Sequence, residues 1–319
     1  MSSLLDQVRR DGLLAPGRPV IVLLSGGRDS TCLLDLAARI AGPSVVIALH
    51  VNYGLRPESD QDEEHCQRVA EALGVALQVR RPWRPAGGNV QAWAREQRYS
   101  AAAVLAEGLE ADIAAGHTAT DQVETILYRL ASSPSRRALL GMTPREGRLV
   151  RPLLSFTREQ TTAYCVERGL EWREDESNES DAYARARIRG RLVPALAEAH
   201  PAAEKNVLAL AEILREEAQL LDELVTGALK GGDQIELAAL RELPAALQRL
   251  VVQRLADLAH GGPAPGVARR SEEVAALGAN AALDLPSGVR AVVERGVLSF
   301  ERQTTGGRSP RRAAHKIEQ

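Results

Sequence analysis

A glycine pair stands among hydroxyl, carboxylate and guanidinium groups early in the chain, in the segment Ser25-Gly-Gly-Arg-Asp-Ser30. Adjacent glycines permit positive φ and let backbone N–H groups approach an anion closely. A helix that begins here would add unpaired amides and a partial positive charge, which favour phosphate. Ser25 and Ser30 would supply further donors, and Asp29 is suited to hold a phosphate-bridging Mg²⁺. The segment predicts a phosphate-binding loop, with an ordinary strand-to-helix turn capped by Asp29 or Ser30 as the alternative.

Two common nucleotide-binding loops are excluded by the sequence. A Walker A loop requires lysine after glycine, and none of the three lysines follows a glycine. The dinucleotide fingerprint requires G-x-G-x-x-G, and no G-x-G occurs in the chain.

A second group of chemically capable residues lies in Gly116-His-Thr-Ala-Thr-Asp-Gln-Val-Glu-Thr125. If a helix begins in this segment, Asp121 and Glu124 share one face of its first turns. Carboxylates at that place are stabilised by the helix dipole and can receive a cation. The alternative is that they serve only to begin the helix.

Arginines are concentrated in two parts of the chain. Seven of them lie between Arg129 and Arg158 against one acid, Glu146. In the second part, at about 100° per residue of an α-helix, Arg185 and Arg189 share a face. We expect that pair to face ATP or RNA phosphate, and Arg187, on the opposite face, to be solvated or paired with the acidic stretch 171–181. A solvated charged surface is the alternative to an RNA-binding channel.

The elements that must position these residues alternate between strands and helices. Short apolar runs predict strands at 19–24, 45–51, 75–79 and 111–115, and amphipathic patterns predict helices at 31–40, 60–73 and 91–107. Such alternation indicates an α/β protein with a doubly wound, Rossmann-like parallel sheet. We expect a catalytic domain over 1–200.

The remaining third of the chain has a different pattern. It predicts one long linker helix over 202–229, further helices near 237–258 and 269–277, a loop at 261–266, and a hairpin over 289–300 that turns near Gly296. We expect a small, mostly helical accessory domain over 201–301. A polar, disordered tail is expected over 302–319.

Composition limits the class of protein. The 319 residues carry 40 basic and 42 acidic side chains, and all but three of the basic ones are arginine. A net charge of −2 does not by itself favour a nucleic-acid partner, so the local clusters carry that argument. Three dispersed cysteines argue against disulfide, iron–sulfur and cysteine-rich zinc sites. Without a signal-peptide core or an apolar run of ~20 residues, the chain is predicted to be cytoplasmic and not membrane-bound.

The loop S-G-G-x-D-S after a strand resembles the pyrophosphate loop (PP-loop) of the N-type ATP pyrophosphatases. Gly116–Thr125 resembles the G-H-x-x-D-D-Q-x-E-T motif of the tRNA(Ile)-lysidine synthetases. Further segments are similar to motifs of that family in the same order: His50-Val-Asn-Tyr-Gly-Leu-Arg56, Ala94-Arg-Glu-Gln-Arg-Tyr99, Arg151-Pro-Leu-Leu154, Asp175-Glu-Ser-Asn178 and Arg185–Pro194. The resemblance covers roughly residues 20–194 and indicates a short form of the family.

The resemblance implies a two-step ligase reaction on the CAU anticodon of a tRNA(Ile). The wobble cytidine is adenylated by Mg·ATP with release of pyrophosphate, and the ε-amine of free L-lysine then displaces AMP to form lysidine. The implied partners are ATP, L-lysine and the tRNA, and the resemblance implies that the accessory domain over 201–301 contacts the tRNA. A second copy of the chain, in a homodimer, is a further candidate partner.

The resemblance also implies a role for particular residues. The implied ATP-binding residues are Ser25, Gly26, Gly27, Arg28, Asp29, Ser30 and His50, with Asp29 also the ligand of Mg²⁺. The implied catalytic residues are Asp29, His117, Asp121 and Glu124. The implied contacts to substrate or tRNA are Arg95, Arg129, Arg151, Asn178, Arg185 and Arg189. Which of Asp121 and Glu124 binds lysine or takes its proton stays open.

Several positions depart from the family pattern. Thr120 replaces the first aspartate of D-D-Q, Tyr53 replaces the second histidine of H-V-x-H, and Ala186 replaces an asparagine. Ala131–Ser135 stands where the family has a glycine-rich R-G-x-G stretch. The alternatives are therefore another PP-loop tRNA-modifying enzyme, such as a thiolase, and a tRNA-binding homologue without activity.

Overall fold

The computed structural model describes residues 3–84, 87, 89–133, 136–174 and 184–303, without the side chains at 136, 137, 184 and 185. The chain divides into two units, residues 1–214 and 215–319, and the division falls inside one long helix.

The first unit is built on a mostly parallel sheet. Its strands are β1 (Val20–Leu23), β2 (Val46–Val51), β3 (Ala76–Arg80), β4 (Asp112–Ala114), β5 (Arg145–Glu146) and β6 (Leu149–Val150). They lie in the order β3-β2-β1-β4-β6-β5, and only the terminal β5 is antiparallel to its neighbour. The four strands predicted from apolar runs are confirmed within one or two residues at each end. The short β5–β6 pair was not predicted.

Helices connect and cover these strands. They are α1 (Leu4–Arg10), α2 (Arg28–Ala41), α3 (Ser59–Ala72), α4 (Val90–Leu109), α5 (Ala119–Ser132), α6 (Arg136–Leu139), α7 (Arg158–Arg168), α8 (Ala184–Arg187), α9 (Val193–Ala199) and α10 (Ala203–Leu229). A π-helical segment, Ile188–Leu192, joins α8 to α9. The sheet with its helices confirms the α/β prediction.

Strand β1 is central in the sheet, and all four of its residues are buried because helices cover both faces. Val20 and Val22 belong to a core shared with α2 and α7 on one face, whereas Ile21 and Leu23 pack with Ala102 and its neighbours of α4 on the other. The chain runs from β1 to β2 on one side and returns to β4 on the other. In open α/β sheets such a switch point leaves a crevice at the carboxyl ends of the strands, where ligands bind.

The second unit combines helices with an antiparallel sheet. After α10 come β7 (Gln234–Glu236), α11 (Leu237–Glu242), α12 (Ala245–His260), α13 (Ser271–Ala275), β8 (Ala282–Leu285), β9 (Val289–Glu294) and β10 (Val297–Arg302). The strand order is β7-β10-β9-β8, so the predicted hairpin is extended by one strand on each side. Its turn is made by Arg295 and Gly296, both at positive φ, as a two-residue hairpin loop requires.

The prediction of one helix over 237–258 is wrong, because the helix is interrupted. Leu243 has ψ of 148° and precedes Pro244, which caps the start of α12. A proline disfavours the helical conformation in the residue before it and has no N–H to donate. Two helices therefore replace the single predicted one.

No helix in the described part of the chain is long and apolar enough to span a bilayer.

Candidate active site

The glycine-rich segment forms a tight loop between β1 and α2. Gly27 is the N-cap of α2, so the first amides of that helix have no intrahelical acceptor. Gly26 has φ of 84°, and a Cβ there would lie 3.2 Å from the Sγ atom of Cys66, so both the backbone conformation and the tight contact disfavour a side chain. The arrangement is that of a loop whose backbone N–H groups can surround an anion.

The two serines of this loop bond inside it. The Ser30 hydroxyl donates to the Gly27 carbonyl at 2.8 Å and accepts from the Ser25 N–H at 3.2 Å. The two Oγ atoms are 3.1 Å apart, and the Ser25 Oγ accepts from the Gly27 N–H at 3.4 Å. The serines therefore hold the loop in shape, with Ser25 exposed at its surface and Ser30 buried.

Asp29 lies in the first turn of α2 and is held by a residue of α7. Its Oδ1 accepts a hydrogen bond from the Thr161 hydroxyl at 2.5 Å and one from Arg28 Nε at 3.2 Å. Its Oδ2 receives no hydrogen bond from the described residues. A carboxylate with one oxygen anchored and the other free suits a Mg²⁺ ion that takes its other ligands from phosphate and water.

The segment after β4 packs directly on this loop. A Cβ at Gly116 would lie 3.0 Å from the Asp29 carbonyl oxygen and 3.2 Å from the Ser30 nitrogen. Only glycine allows the two backbones to approach so closely. The carboxyl ends of β1 and β4 thus bring the two motifs found in the sequence to one crevice.

His117 follows Gly116 and is largely buried. Burial lowers its pKa to about 4, and the charges of Arg151, Arg98 and Arg95 act in the same direction, while Asp121 opposes them. Its Nδ1 atom is buried and finds no hydrogen-bond partner among the described residues. The imidazole is therefore neutral at pH 7.

Asp121 begins α5 through a capping box with Thr118. Its Oδ2 accepts from the Thr118 N–H and hydroxyl, each at 2.9 Å. Its Oδ1 faces two cations, with Arg189 Nη2 at 3.6 Å and Arg158 Nη2 at 4.0 Å. One oxygen thus serves the helix start, and the other faces the crevice.

Glu124 lies one turn further along α5 and is 3% exposed. Both of its oxygens are bound by Arg189, with Nε at 2.6 Å and Nη2 at 3.0 Å. This pairing was not predicted from the sequence, and a contact of Arg189 with ATP or RNA phosphate stays a prediction. The residue lies in the π-helical segment, where the rotation per residue differs from that of the α-helix used to place it.

Two other predicted arginines hold a loop of the protein itself. Arg129 donates to the Gly141 carbonyl at 2.7 Å. Arg151 is 4% exposed and donates to the Thr143 carbonyl at 2.7 Å and to Glu146 at 3.0 Å. A direct contact of Arg151 with tRNA is not supported by this position, because its guanidinium is buried and engaged within the domain.

Gln122 of α5 clamps the same loop. Its side-chain amide donates to the Met142 carbonyl at 2.8 Å and accepts from the Met142 N–H at 2.7 Å. Gln122 is 1% exposed and was not predicted as a site residue. The sequence did offer one signal for a role of Gln122, which is its position inside D-Q-x-E-T, between the candidate acids Asp121 and Glu124.

Helix α4 presents an aromatic and cationic group. The Arg95 guanidinium lies 4.7 Å from the ring centroid of Tyr99, and that of Arg98 lies 5.5 Å from it. Tyr53 donates to the Ala94 carbonyl at 2.8 Å and packs edge-on against Trp93. Tyr53 therefore replaces the family's histidine with a residue that anchors α4.

His50, at the end of β2, is buried beside the phosphate loop. Its Nδ1 lies 2.9 Å from the Leu24 carbonyl, so this nitrogen carries the proton and donates. Its Nε2 has no partner among the described residues. Asn178 lies outside the described residues, as does the side chain of Arg185.

Two residues of α7, Arg158 and Thr161, were not predicted as site residues. The capping box of Thr157 and Gln160 could have located the start of α7 from the sequence. It could not have shown that this helix packs against α2 and reaches Asp29.

Comparisons with known proteins show the family to which the chain belongs. A model of the PP-loop domain matches residues 3–196. The tRNA(Ile)-lysidine synthase of Symbiobacterium thermophilum is 36% identical, over 94% of this chain and 69% of the relative. Those of Pseudomonas fluorescens and Thermus thermophilus are 37% and 36% identical, and the matches cover 55% and 50% of their length. The chain thus spans from half to about two thirds of the relatives it matches.

Among solved structures, the U34-tRNA thiolase NcsA from Methanococcus maripaludis, with its [4Fe-4S] cluster, superposes with a TM-score of 0.55. It is 16% identical, over 67% of this chain and 78% of that one, so the likeness concerns the fold alone. The PP-loop match over residues 3–196 and the alignment over 94% of this chain with the Symbiobacterium relative together identify the family. The chain belongs to the tRNA(Ile)-lysidine synthase family of PP-loop proteins.

Proposed function

We propose that this chain converts the wobble cytidine of the CAU anticodon of a tRNA(Ile) into lysidine, using ATP and free L-lysine. The observation that carries the proposal is the meeting of the phosphate loop with the His117–Glu124 segment at the switch point of the sheet. There the Gly116 backbone lies against that of Asp29. One crevice thus contains an anion-binding loop and two carboxylates.

ATP would bind with its phosphates on the loop from Ser25 to Ser30. The free amides at the start of α2 and the guanidinium of Arg28 favour the triphosphate. Asp29 fits a Mg²⁺ ion through its free Oδ2, and the ion would offset charge on the departing pyrophosphate. Thr161 keeps that carboxylate in place.

In the first step, the O2 atom of the cytidine attacks the α-phosphorus and pyrophosphate leaves. Adenylation turns a poor leaving group into a good one. In the second step, the ε-amine of lysine attacks C2, the bond from C2 to the adenylate oxygen breaks, and AMP leaves. The ammonium of lysine must lose two protons in total, and carboxylates of the crevice are the groups placed to receive them.

Between the two acids, the contacts favour Asp121 as the residue that meets lysine. Both oxygens of Glu124 are bound by Arg189 at 3.0 Å or less, whereas Oδ1 of Asp121 has its nearest cation at 3.6 Å. An incoming ammonium can therefore reach Asp121 without breaking a short ion pair. Glu124 then acts by positioning Arg189 next to Asp121.

The tRNA would meet the crevice from the side of α4. Single-stranded bases are held by stacking on aromatic rings and guanidinium planes. Arg95 is exposed and lies over Tyr99, so it can present such a plane. Exposed arginines of the basic stretch 129–158, such as Arg148, and the second domain, 201–301, would contact the RNA backbone. A cytoplasmic location follows from a tRNA substrate. A homodimer remains a prediction.

The test is incubation of the purified chain with Mg·ATP, labelled L-lysine and a CAU-anticodon tRNA(Ile) transcript. We expect label in the RNA, none with a transcript in which the wobble cytidine is uridine, and strong loss with Asp121→Asn. Glu167→Gln, an exposed change on α7, is the matched control. Bound tRNA without label would instead favour a non-catalytic binding protein, and transfer of sulfur to the RNA would favour a thiolase.

A further inference from the structure

A cavity of about 450 Å³ lies beside the phosphate loop. It is lined by His65, Arg68, Leu170, Glu171, Trp172 and Arg173. A Cβ on Gly26 would lie 3.4 Å from Cδ2 of His65, so the cavity adjoins the phosphate loop. Asp29 and Ser30, whose backbone Gly116 meets in the crevice, are not among its lining residues.

His65 contributes a buried polar atom to the wall of this open cavity. The residue is 4% exposed, and its Nε2 atom is buried with no hydrogen-bond partner among the described residues. A buried polar atom without a partner is costly unless a ligand or water meets it. Burial lowers the pKa of His65, with Arg68 and Arg173 acting in the same direction, so the ring is neutral at pH 7.

The charges around the cavity favour an anion. Arg68 is exposed and makes no ion pair or hydrogen bond with the described residues. Arg173 is bound through Nε to Asp62 at 2.8 Å and through Nη2 to Gln61 at 3.4 Å, and it retains further donors. Glu171 adds an acceptor at the exposed edge, of the kind that ribose hydroxyls and base amino groups use.

Trp172 adds a planar apolar surface. The side chain is half-buried, because part of it packs on the core of the first unit while part lines the cavity. An aromatic ring beside a free arginine is the combination that holds a nucleotide by its base and its phosphate. A volume of about 450 Å³ lies within the usual range for small-ligand sites.

We propose that this cavity binds a phosphate-bearing nucleotide, with its phosphate on Arg68 and His65 and its base on Trp172. The nucleotide is either free or one residue of a bound RNA. Arg173 connects the site to the phosphate loop, because its backbone N–H donates to the Gly26 carbonyl at 3.0 Å. The inference does not depend on the lysidine reaction proposed above.

The test uses Trp172 as its own reporter. In the full chain carrying Trp83→Phe and Trp93→Phe, Trp172 is the remaining tryptophan. We expect its fluorescence to change saturably with UMP, a nucleotide that the proposed reaction neither consumes nor releases, or with a short single-stranded oligoribonucleotide. A response to UMP identifies a site for free nucleotides, and a response to the oligonucleotide alone identifies an RNA contact.

Arg68→Gln should weaken this response at least about fivefold, because it removes a charge-assisted contact with phosphate. Arg9→Gln, which removes an exposed arginine of α1, should leave it unchanged. The proposal is overturned if neither probe changes the fluorescence, or if Arg68→Gln and Arg9→Gln bind the probe equally. A failed lysine-incorporation assay would leave this result intact, so the two proposals fail separately.

Discussion

Arg189 and Glu124 form a two-point ion pair, with Nε 2.6 Å from Oε1 and Nη2 3.0 Å from Oε2. The pair joins the π-helical segment before α9 to α5, across 65 positions of sequence. Because Glu124 is almost completely buried, its negative charge carries a desolvation cost, and the ion pair with Arg189 compensates for that cost. The same guanidinium reaches Asp121, so this one side chain sets the electrostatics of both candidate acids.

Replacing Arg189 with alanine should destabilise the chain by about 2 to 3 kcal/mol, because it leaves a buried carboxylate unpaired. This value is below the range of about 3 to 5 kcal/mol for fully buried pairs, since Arg189 itself is one third exposed. Urea unfolding followed by circular dichroism measures the loss. Adding Glu124→Gln to the Arg189→Ala variant should recover part of it, and an equal or greater loss in the double variant would contradict the pairing argument.

The contact between Arg189 and Glu124 is one of the features that could not be predicted from the sequence. The phosphate loop and the Gly116–Thr125 segment were located correctly, because strand-helix alternation places both after parallel strands whose carboxyl ends share an edge. The partners of the charged residues were not predicted. The placement of Arg189 assumed α-helical rotation, whereas the segment is π-helical, and the Thr161–Asp29 bond depends on how α7 packs against α2. Such pairings arise from tertiary structure and leave no local pattern.

Gly116→Ala should disturb the phosphate loop from across the crevice. The added methyl group would lie 3.0 Å from the Asp29 carbonyl oxygen, and a backbone atom cannot move aside as a flexible side chain can. We expect a loss of about 1 to 3 kcal/mol in unfolding free energy, together with weaker ATP binding measured by calorimetry.

Gly108→Ala is the matched control for that change. Gly108 lies inside α4, and a Cβ there meets no atom within 4 Å. Alanine in a helix interior should be neutral or stabilise by about 0.5 to 1 kcal/mol. If both alanine variants have the same unfolding free energy and ATP affinity, the close approach of Gly116 to Asp29 is not the reason that position 116 requires glycine.

His117 should make the folded state sensitive to acid. Its pKa is lowered to about 4 in the fold from a usual value of 6.5, so between these values the unfolded chain binds more protons. Stability attributable to this residue is therefore fully present above about pH 6.5 and is lost as the pH falls toward 4. Between about pH 7 and about pH 4.5, we expect wild type to lose about 2 kcal/mol more unfolding free energy than His117→Leu.

Leucine is the informative replacement for His117, because Nδ1 has no partner among the described residues and an apolar side chain leaves no bond broken. Urea midpoints across the pH range give the measurement. His200→Gln, an exposed change before α10, reports the effect of losing an imidazole at the surface. Parallel stability curves for wild type and His117→Leu would show that His117 is not the source of the pH dependence.

Thr161→Val tests whether the anchored carboxylate of Asp29 supports a bound cation. Valine has nearly the shape of threonine but lacks the hydroxyl that donates to Oδ1, so the carboxylate is left with Arg28 and can rotate. We expect the affinity for a non-hydrolysable ATP analogue with Mg²⁺ to fall about fivefold, with a smaller change when Mg²⁺ is omitted. Thr162→Val removes only a bond to the Arg158 carbonyl of its own helix. The two variants lose the same group on adjacent residues. If their Mg²⁺-dependent affinities for the ATP analogue are equal, the anchored carboxylate of Asp29 does not support the bound Mg²⁺.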